Sequence, residues 1–169
     1  MLVEISKTSK HINKIKEIYL SSFPEEERID FEDIVNLKFP NSKFFGIFDK
    51  RLLVGFTFVS LLGDFAYIVY LAIDKEKRNG GYGTQALKEI DELFKDKTKV
   101  LCVEKPISNE DIQSRRIGFY KRNGFSLASF EFDFLGQTYY TMYLGKFNKR
   151  KFIDFLLVCF PGCENFKKR

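Results

Sequence analysis

Residues 71–86 read Leu71-Ala72-Ile73-Asp74-Lys75-Glu76-Lys77-Arg78-Asn79-Gly80-Gly81-Tyr82-Gly83-Thr84-Gln85-Ala86. An apolar run ends at Asp74, a basic turn follows, and glycines lead into a segment of helical periodicity. Glycines placed there let backbone N–H groups converge without Cβ obstruction. The helix start behind them adds partial positive charge, worth ~0.3–1 kcal/mol for an exposed anion contact. Lys75, Lys77 and Arg78 add whole charges, so the stretch suits a pyrophosphate. The fragment Gly81-Tyr82-Gly83-Thr84-Gln85-Ala86 also matches the dinucleotide pattern G-x-G-x-x-A, with Glu104 near the ribose-binding position. Against a nicotinamide fold stand the six residues Lys75–Gly80 between strand end and first glycine, and the lack of a second strand-helix-strand half. A glycine turn without ligand is the third reading, although two glycines plus an arginine exceed what a turn requires.

Working outward, the chain before this loop reads as a short strand at 2–5 and a helix carried by Ile12, Ile15, Ile18 and Tyr19, with Thr8 or Ser9 as its cap. Phe23-Pro24-Glu25-Glu26-Glu27-Arg28 breaks that helix, and 30–37 predicts a second short one stopped by Pro40. Runs rich in Phe, Val, Ile and Tyr at 43–48, 52–62 and 65–73 predict an antiparallel meander. After the loop come a helix over 82–94, a strand over 99–104, a helix over 111–122, and a hairpin of 125–134 with 137–144. Strand, helix, strand implies one parallel crossover. The fold class is therefore α+β, mixed α/β: a single domain over 1–145 with a mixed central sheet of about seven strands flanked by helices.

The composition suits one such domain. Among 169 residues, 44% are hydrophobic, with 20 Phe and 8 Tyr to supply buried area. The net charge of +5 favours an anionic partner without choosing among nucleic acid, membrane and polyphosphate. The Lys and Arg residues are spread along the chain, which argues against nucleic acid. Three cysteines, Cys102, Cys159 and Cys163, and no secretory signal at Met1-Leu2-Val3-Glu4 fit a reducing, cytoplasmic setting. His11 is the single histidine, in a polar run that reads as surface, and Cys159-x-x-x-Cys163 has no further ligand nearby, so no metal site is expected. The tail 146–169 mixes basic and apolar residues and predicts a helix up to Pro161, too short for a membrane span of ~20 residues. It is expected to dock on the body or on a second subunit, which leaves a homodimer open; an interfacial membrane helix is the weaker alternative.

Two motifs at a set distance resemble the GNAT superfamily of N-acyltransferases. The cofactor signature R/Q-x-x-G-x-G/A stands as Arg78-Asn79-Gly80-Gly81-Tyr82-Gly83, and an aromatic pair followed by Gly-Phe stands as Phe119-Tyr120-Lys121-Arg122-Asn123-Gly124-Phe125. The resemblance spans 2–144. It implies acetyl-CoA as cosubstrate, its pantetheine paired with backbone at Leu71, Ala72 and Ile73 and its pyrophosphate held by amides of Gly81, Tyr82, Gly83 and Thr84. It also implies Tyr120 as general acid to the leaving thiolate, a reasonable task for a phenol of reference pKa ~10. Arg115 and Arg116 are set to meet cofactor phosphates or a solvated helix face. Gln113 and Arg116 replace the Asn and Ala of many members, Lys75 replaces a common proline, and Cys102 stands where some members carry the base.

An amine must be neutral to attack a thioester, so a proton acceptor is needed, and the candidates are Glu26, Glu27 and Glu104. The resemblance makes 23–28, between the first two helices, a wall of the acceptor site; acidic residues after a proline are also ordinary first-turn residues. Tyr139, Tyr140 and Tyr143 on the last strand read either as rings presented to a substrate or as strand packing, and packing is the preferred reading. The leading function is N-acetyl transfer from acetyl-CoA to a primary amine, on a small molecule or a peptide, by direct attack. The alternative is a non-catalytic module that binds coenzyme A or an acyl derivative and regulates a partner.

Overall fold

The structure is a computed structural model of the chain and describes residues 1–39, 41–108 and 111–169. Pro40, expected to stop the second helix, lies outside the described residues. Contacts group the chain into two compact units, Met1–Lys95 and Asp96–Arg169.

The first unit runs β1 (Leu2–Glu4), α1 (Ile12–Ser22), a 3-10 turn (Glu25–Glu27), α2 (Phe31–Val35), β2 (Ser42–Asp49), β3 (Leu52–Leu62), β4 (Phe65–Ile73), a second 3-10 turn (Lys75–Lys77) and α3 (Tyr82–Leu93). Strands β1 to β4 pair antiparallel in chain order, so the expected meander is present and β1 joins its edge. Strand side chains alternate across the sheet, and the sequence has apolar residues for both faces. On one face Ile15, Ile18 and Tyr19 of α1 and Phe31 and Ile34 of α2 pack with Phe44, Phe56, Phe58, Tyr70 and Ala72. Phe44, Phe56 and Phe58 are fully buried, each stabilising by about 1.5–3 kcal/mol. On the other face Ala86 of α3 packs with Ile47 and Val54, joined by Leu71, Ile73 and Tyr82. The β3–β4 register shifts between Phe58 and Val59, a bulge that increases the local twist of β4 before its last residues. Gly55 sits opposite Ile73, where a Cβ would run into the Ala72 carbonyl and the Ile73 side chain, so this close approach requires glycine.

The expected cap of α1 does not form. His11 takes the N-cap position with no capping hydrogen bond, and the Ser9 hydroxyl accepts from the His11 amide at 3.3 Å, ahead of the helix. His11 is half-buried rather than plainly on the surface, with its ring edge-on to Phe48 at 5.0 Å. Helix α2 is shorter than 30–37, because Asp30 caps it by accepting from the Glu32 amide and Leu37 leaves helical geometry at φ 50°.

The second unit runs β5 (Thr98–Glu104), α4 (Ile112–Arg122), β6 (Ser126–Phe134), β7 (Gln137–Leu144), α5 (Lys149–Cys159) and β8 (Glu164–Lys168). Here β7 lies between β5 and β6, and β8 pairs with the outer side of β6, all antiparallel. The β6–β7 turn has positive φ at both Leu135 (49°) and Gly136 (78°), the twist that tight hairpins require. The tail forms its helix: α5 is capped by Asn148 and buries Phe152, Phe155 and Leu156, with Phe152 near Phe130 and Phe147. Strand β8 was not expected; its Phe166 stacks on Phe132 at 5.7 Å and anchors an otherwise polar segment. The described residues thus hold eight strands and five α-helices, a mixed α/β fold with one strand more than expected.

Candidate active site

The glycine loop belongs to the first unit. Strand β4 ends at Ile73, and Asp74 starts the 3-10 turn, its side chain accepting from the Glu76 amide at 3.3 Å and its carbonyl from Lys77 at 2.8 Å. Lys14 of α1 pairs with the same carboxylate at 3.1 Å. Arg78 folds back, its Nε donating to the Ile73 carbonyl at 3.2 Å, while its remaining guanidinium stays exposed. Asn79 and Gly81 both take left-handed geometry, φ 66° and 78°, and Gly81 caps α3 without any side-chain bond. The first helical bond is Gln85 N–H to the Gly81 carbonyl, so the amides of Tyr82, Gly83 and Thr84 precede the helical ladder. A Cβ on Gly81 would meet nothing within 4 Å, so no side chain or backbone crowds the turn at this residue. Leu71, Ala72 and Ile73 pair on one side with Thr57, Phe56 and Gly55 of β3; Ala72 is buried, Leu71 and Ile73 half-buried.

The connection between α1 and α2 is fastened to β4 in the same unit. Tyr70 donates to the Glu27 carbonyl at 2.7 Å and accepts from the Ile29 amide at 3.0 Å, and Tyr19 donates to the Ile29 carbonyl at 2.7 Å. Burial raises the pKa of both phenols, so they remain neutral donors. Phe23 packs edge-on to Tyr70 at 4.7 Å, and Arg28 closes the segment through the Phe23 and Leu20 carbonyls. Glu26 is exposed and Glu27 half-buried, with the backbone of Glu27 fixed.

In the second unit, Tyr120 and Arg116 lie on α4 and Glu104 ends β5. Tyr120 is half-buried, with its ring against Phe119 at 5.2 Å and Phe125 at 5.6 Å. Among the described residues its hydroxyl bonds to no carbonyl, so the ring packs while the acidic proton stays uncommitted. Burial pushes this phenol up to about 12, and the charge of Arg116 acts in the opposite direction. Gln113 Nε2 donates to Glu104 Oε2 at 2.7 Å, which gives Gln113 a protein partner and fixes one oxygen of the candidate base. Arg115 is exposed. Cys102 is half-buried beside Thr141. The β7 tyrosines pack: Tyr139 stacks on Phe132, Tyr143 on Phe147, and Tyr140 lies beneath the cations of Lys105 and Arg169.

Reasoning from sequence missed Tyr19, Tyr70 and Lys14 as residues that fasten these segments, and Asp49, which accepts a hydrogen bond from the Tyr82 hydroxyl at 2.8 Å. Each is an ordinary strand or helix residue in its local pattern, and its partner lies on a separate segment of the chain. No helix among the described residues is long and apolar enough to cross a membrane.

A sequence profile described as the acetyltransferase (GNAT) family matches residues 12–125. No curated protein matches the chain. Among solved structures, a GNAT-family protein from Bacteroides thetaiotaomicron is 28% identical, covering 95% of this chain and 98% of its own, with TM-score 0.79. A Bacillus subtilis acetyltransferase in complex with CoA shares the fold at 16% identity, 86% and 98% coverage and TM-score 0.65. An aminoglycoside 6'-N-acetyltransferase from Enterococcus faecium does so at 12% identity, 88% and 99% coverage and TM-score 0.68.

Proposed function

The chain is an acyltransferase of the acetyltransferase (GNAT) family, and from that premise we propose that it transfers an acetyl group from acetyl-CoA to a primary amine by direct attack on the thioester. The observation that carries the reading is the glycine loop: a left-handed Gly81 that leaves the first amides of α3 open at the end of β4. In this reading the amides of Gly81, Tyr82, Gly83 and Thr84 hold the diphosphate, aided by the helix start. Gly80 and Asn79 shape the turn, and Arg78 and Arg115 supply positive charge. Backbone groups of Leu71, Ala72 and Ile73 orient the pantetheine arm, and amides near Ile73 polarise the reacting carbonyl.

Tyr120 gives its proton to the departing thiolate, a role supported by a hydroxyl that bonds to no carbonyl among the described residues. The proton released by the amine passes to one of Glu26, Glu27 or Glu104. The segment carrying Glu26 and Glu27 lines the acceptor, and its fastening to β4 suits a fixed wall. Amine acceptors also fit the family's reach, since one structure of the same fold is an aminoglycoside acetyltransferase.

A thiol-release assay with acetyl-CoA tests this against aminoglycosides, polyamines, free amino acids, peptide N-termini and lysine peptides. Release above the amine-free rate with any class supports transfer. Coenzyme A binding by calorimetry without release across the panel favours the regulatory binding module, and no binding at all removes both readings.

A further inference from the structure

Tyr82 stands inside the glycine loop, yet its side chain belongs to the body of the first unit. Its ring joins the apolar cluster of Ile47, Val54 and Ala86, together with Leu71 and Ile73. The same ring lies over Gly80, where a Cβ would come within 2.7 Å of Tyr82 Cε2. Its hydroxyl donates to Asp49 Oδ2 at 2.8 Å, on the last residue of β2. The loop is thus gripped between two left-handed residues, Asn79 and Gly81, by a side chain tethered to a different strand. The charge of Asp49 has the wrong sign for this neighbourhood: a carboxylate near an anion-binding loop repels the anion. Its benefit must therefore come through the hydrogen bond, and the two effects have opposite signs.

We propose that Asp49 and the Tyr82 side chain are positioning residues for the loop, fixing the turn at Gly81 so that the amides of Tyr82, Gly83 and Thr84 stay aimed at one diphosphate. The inference rests on the reading that this loop holds the diphosphate of coenzyme A.

The test is calorimetry of coenzyme A with the full chain and with Asp49→Ala, Asp49→Asn, Tyr82→Phe and the Asp49→Ala/Tyr82→Phe double variant. Tyr82→Phe, which loses the bond and keeps the repelling charge, should weaken binding about fivefold, the scale of one charge-assisted bond at an exposed position, and Asp49→Ala should weaken it by less, because it also removes that charge. Asp49→Asn, whose carboxamide oxygen still accepts from the phenol, should stay within about twofold of the parent. The double variant should bind no more weakly than either single one, because both remove the same contact. Thermal melting of each variant is read alongside; a merely structural contact would lower melting without an affinity loss that asparagine rescues. Asp49→Ala and Asp49→Asn both binding as tightly as the parent or more tightly, or losses that add in the double variant, overturn the positioning role while leaving the function reading intact. A parent that does not bind coenzyme A overturns the function reading, and the positioning role falls with it.

Discussion

The Tyr70 hydroxyl donates to the carbonyl of Glu27 at 2.7 Å, so the strand that ends at the glycine loop also holds the turn between α1 and α2. Tyr70 is buried, and its oxygen accepts the Ile29 amide as well. Tyr70→Phe strips both groups of their partner without changing the ring's packing. The expected loss is about 1–3 kcal/mol in urea unfolding with an unchanged m-value. In the thiol-release assay the acceptor KM should rise while coenzyme A affinity holds. A parent-like urea midpoint would mean that water replaces the phenol without cost.

Tyr120→Phe removes the proposed proton donor and keeps the ring on Phe119 and Phe125. Turnover should fall at least about a hundredfold, with coenzyme A affinity by calorimetry within about twofold of the parent. Equal turnover of variant and parent would take Tyr120 out of the chemistry. The pH dependence follows from the sign of the shift. Burial raises this phenol to about 12, so its neutral, donating form persists above the usual tyrosine range, and the parent's turnover should show no tyrosine-dependent alkaline fall near pH 10.

Gly81→Ala places a Cβ in open space, so steric contact contributes nothing and the penalty is purely one of backbone geometry at φ 78°. That geometry costs a non-glycine residue about 1–2 kcal/mol. Coenzyme A binding should weaken as the turn relaxes. Gly81→Asn should do less harm, since asparagine tolerates the left-handed region, and Gly81→Asp should abolish binding by adding charge. Unchanged calorimetric affinity in Gly81→Asp would refute the anion cradle.

Asp111 accepts amide bonds from Ser108, Ser114 and Ile107, which hold its carboxyl down at about 2. A depressed folded-state pKa means that its contribution is complete above the unfolded value and is lost as pH falls from near 4 toward 2. Asp111→Ala should therefore destabilise the chain at neutral pH and flatten the acid limb of a melting-temperature profile between those values. Parallel parent and variant profiles would show that these amide bonds to Asp111 contribute nothing to folding.

Legibility tracked the range of the interactions. The strands of the meander, α3, α4 and the β6–β7 turn were readable because their periodicities and turn residues are properties of adjacent positions. Strand β8 was not, because Glu164–Lys168 carries one inward aromatic, Phe166, and becomes a strand only by pairing with β6. The cap of α1 was misplaced for a similar reason: Ser9 and Thr8 look like caps in isolation, but the helix begins only after His11, whose ring packs on Phe48 of β2.

What the sequence determined by itself was the kind of chain and the kind of loop. Alternating and helical hydrophobic patterns fixed the mixed α/β class, and Gly81 ahead of α3 fixed a helix start with open amides, since both depend on local backbone sterics. Only the tertiary structure decided what holds that loop and its neighbours in place. Lys14 reaches Asp74, Asp49 reaches Tyr82, Tyr70 reaches Glu27, and Gln113 reaches Glu104. Those pairings join residues far apart along the chain, or on separate elements, and no local pattern encodes them: a hydrogen bond between two such side chains exists only after the packed core has brought their elements together.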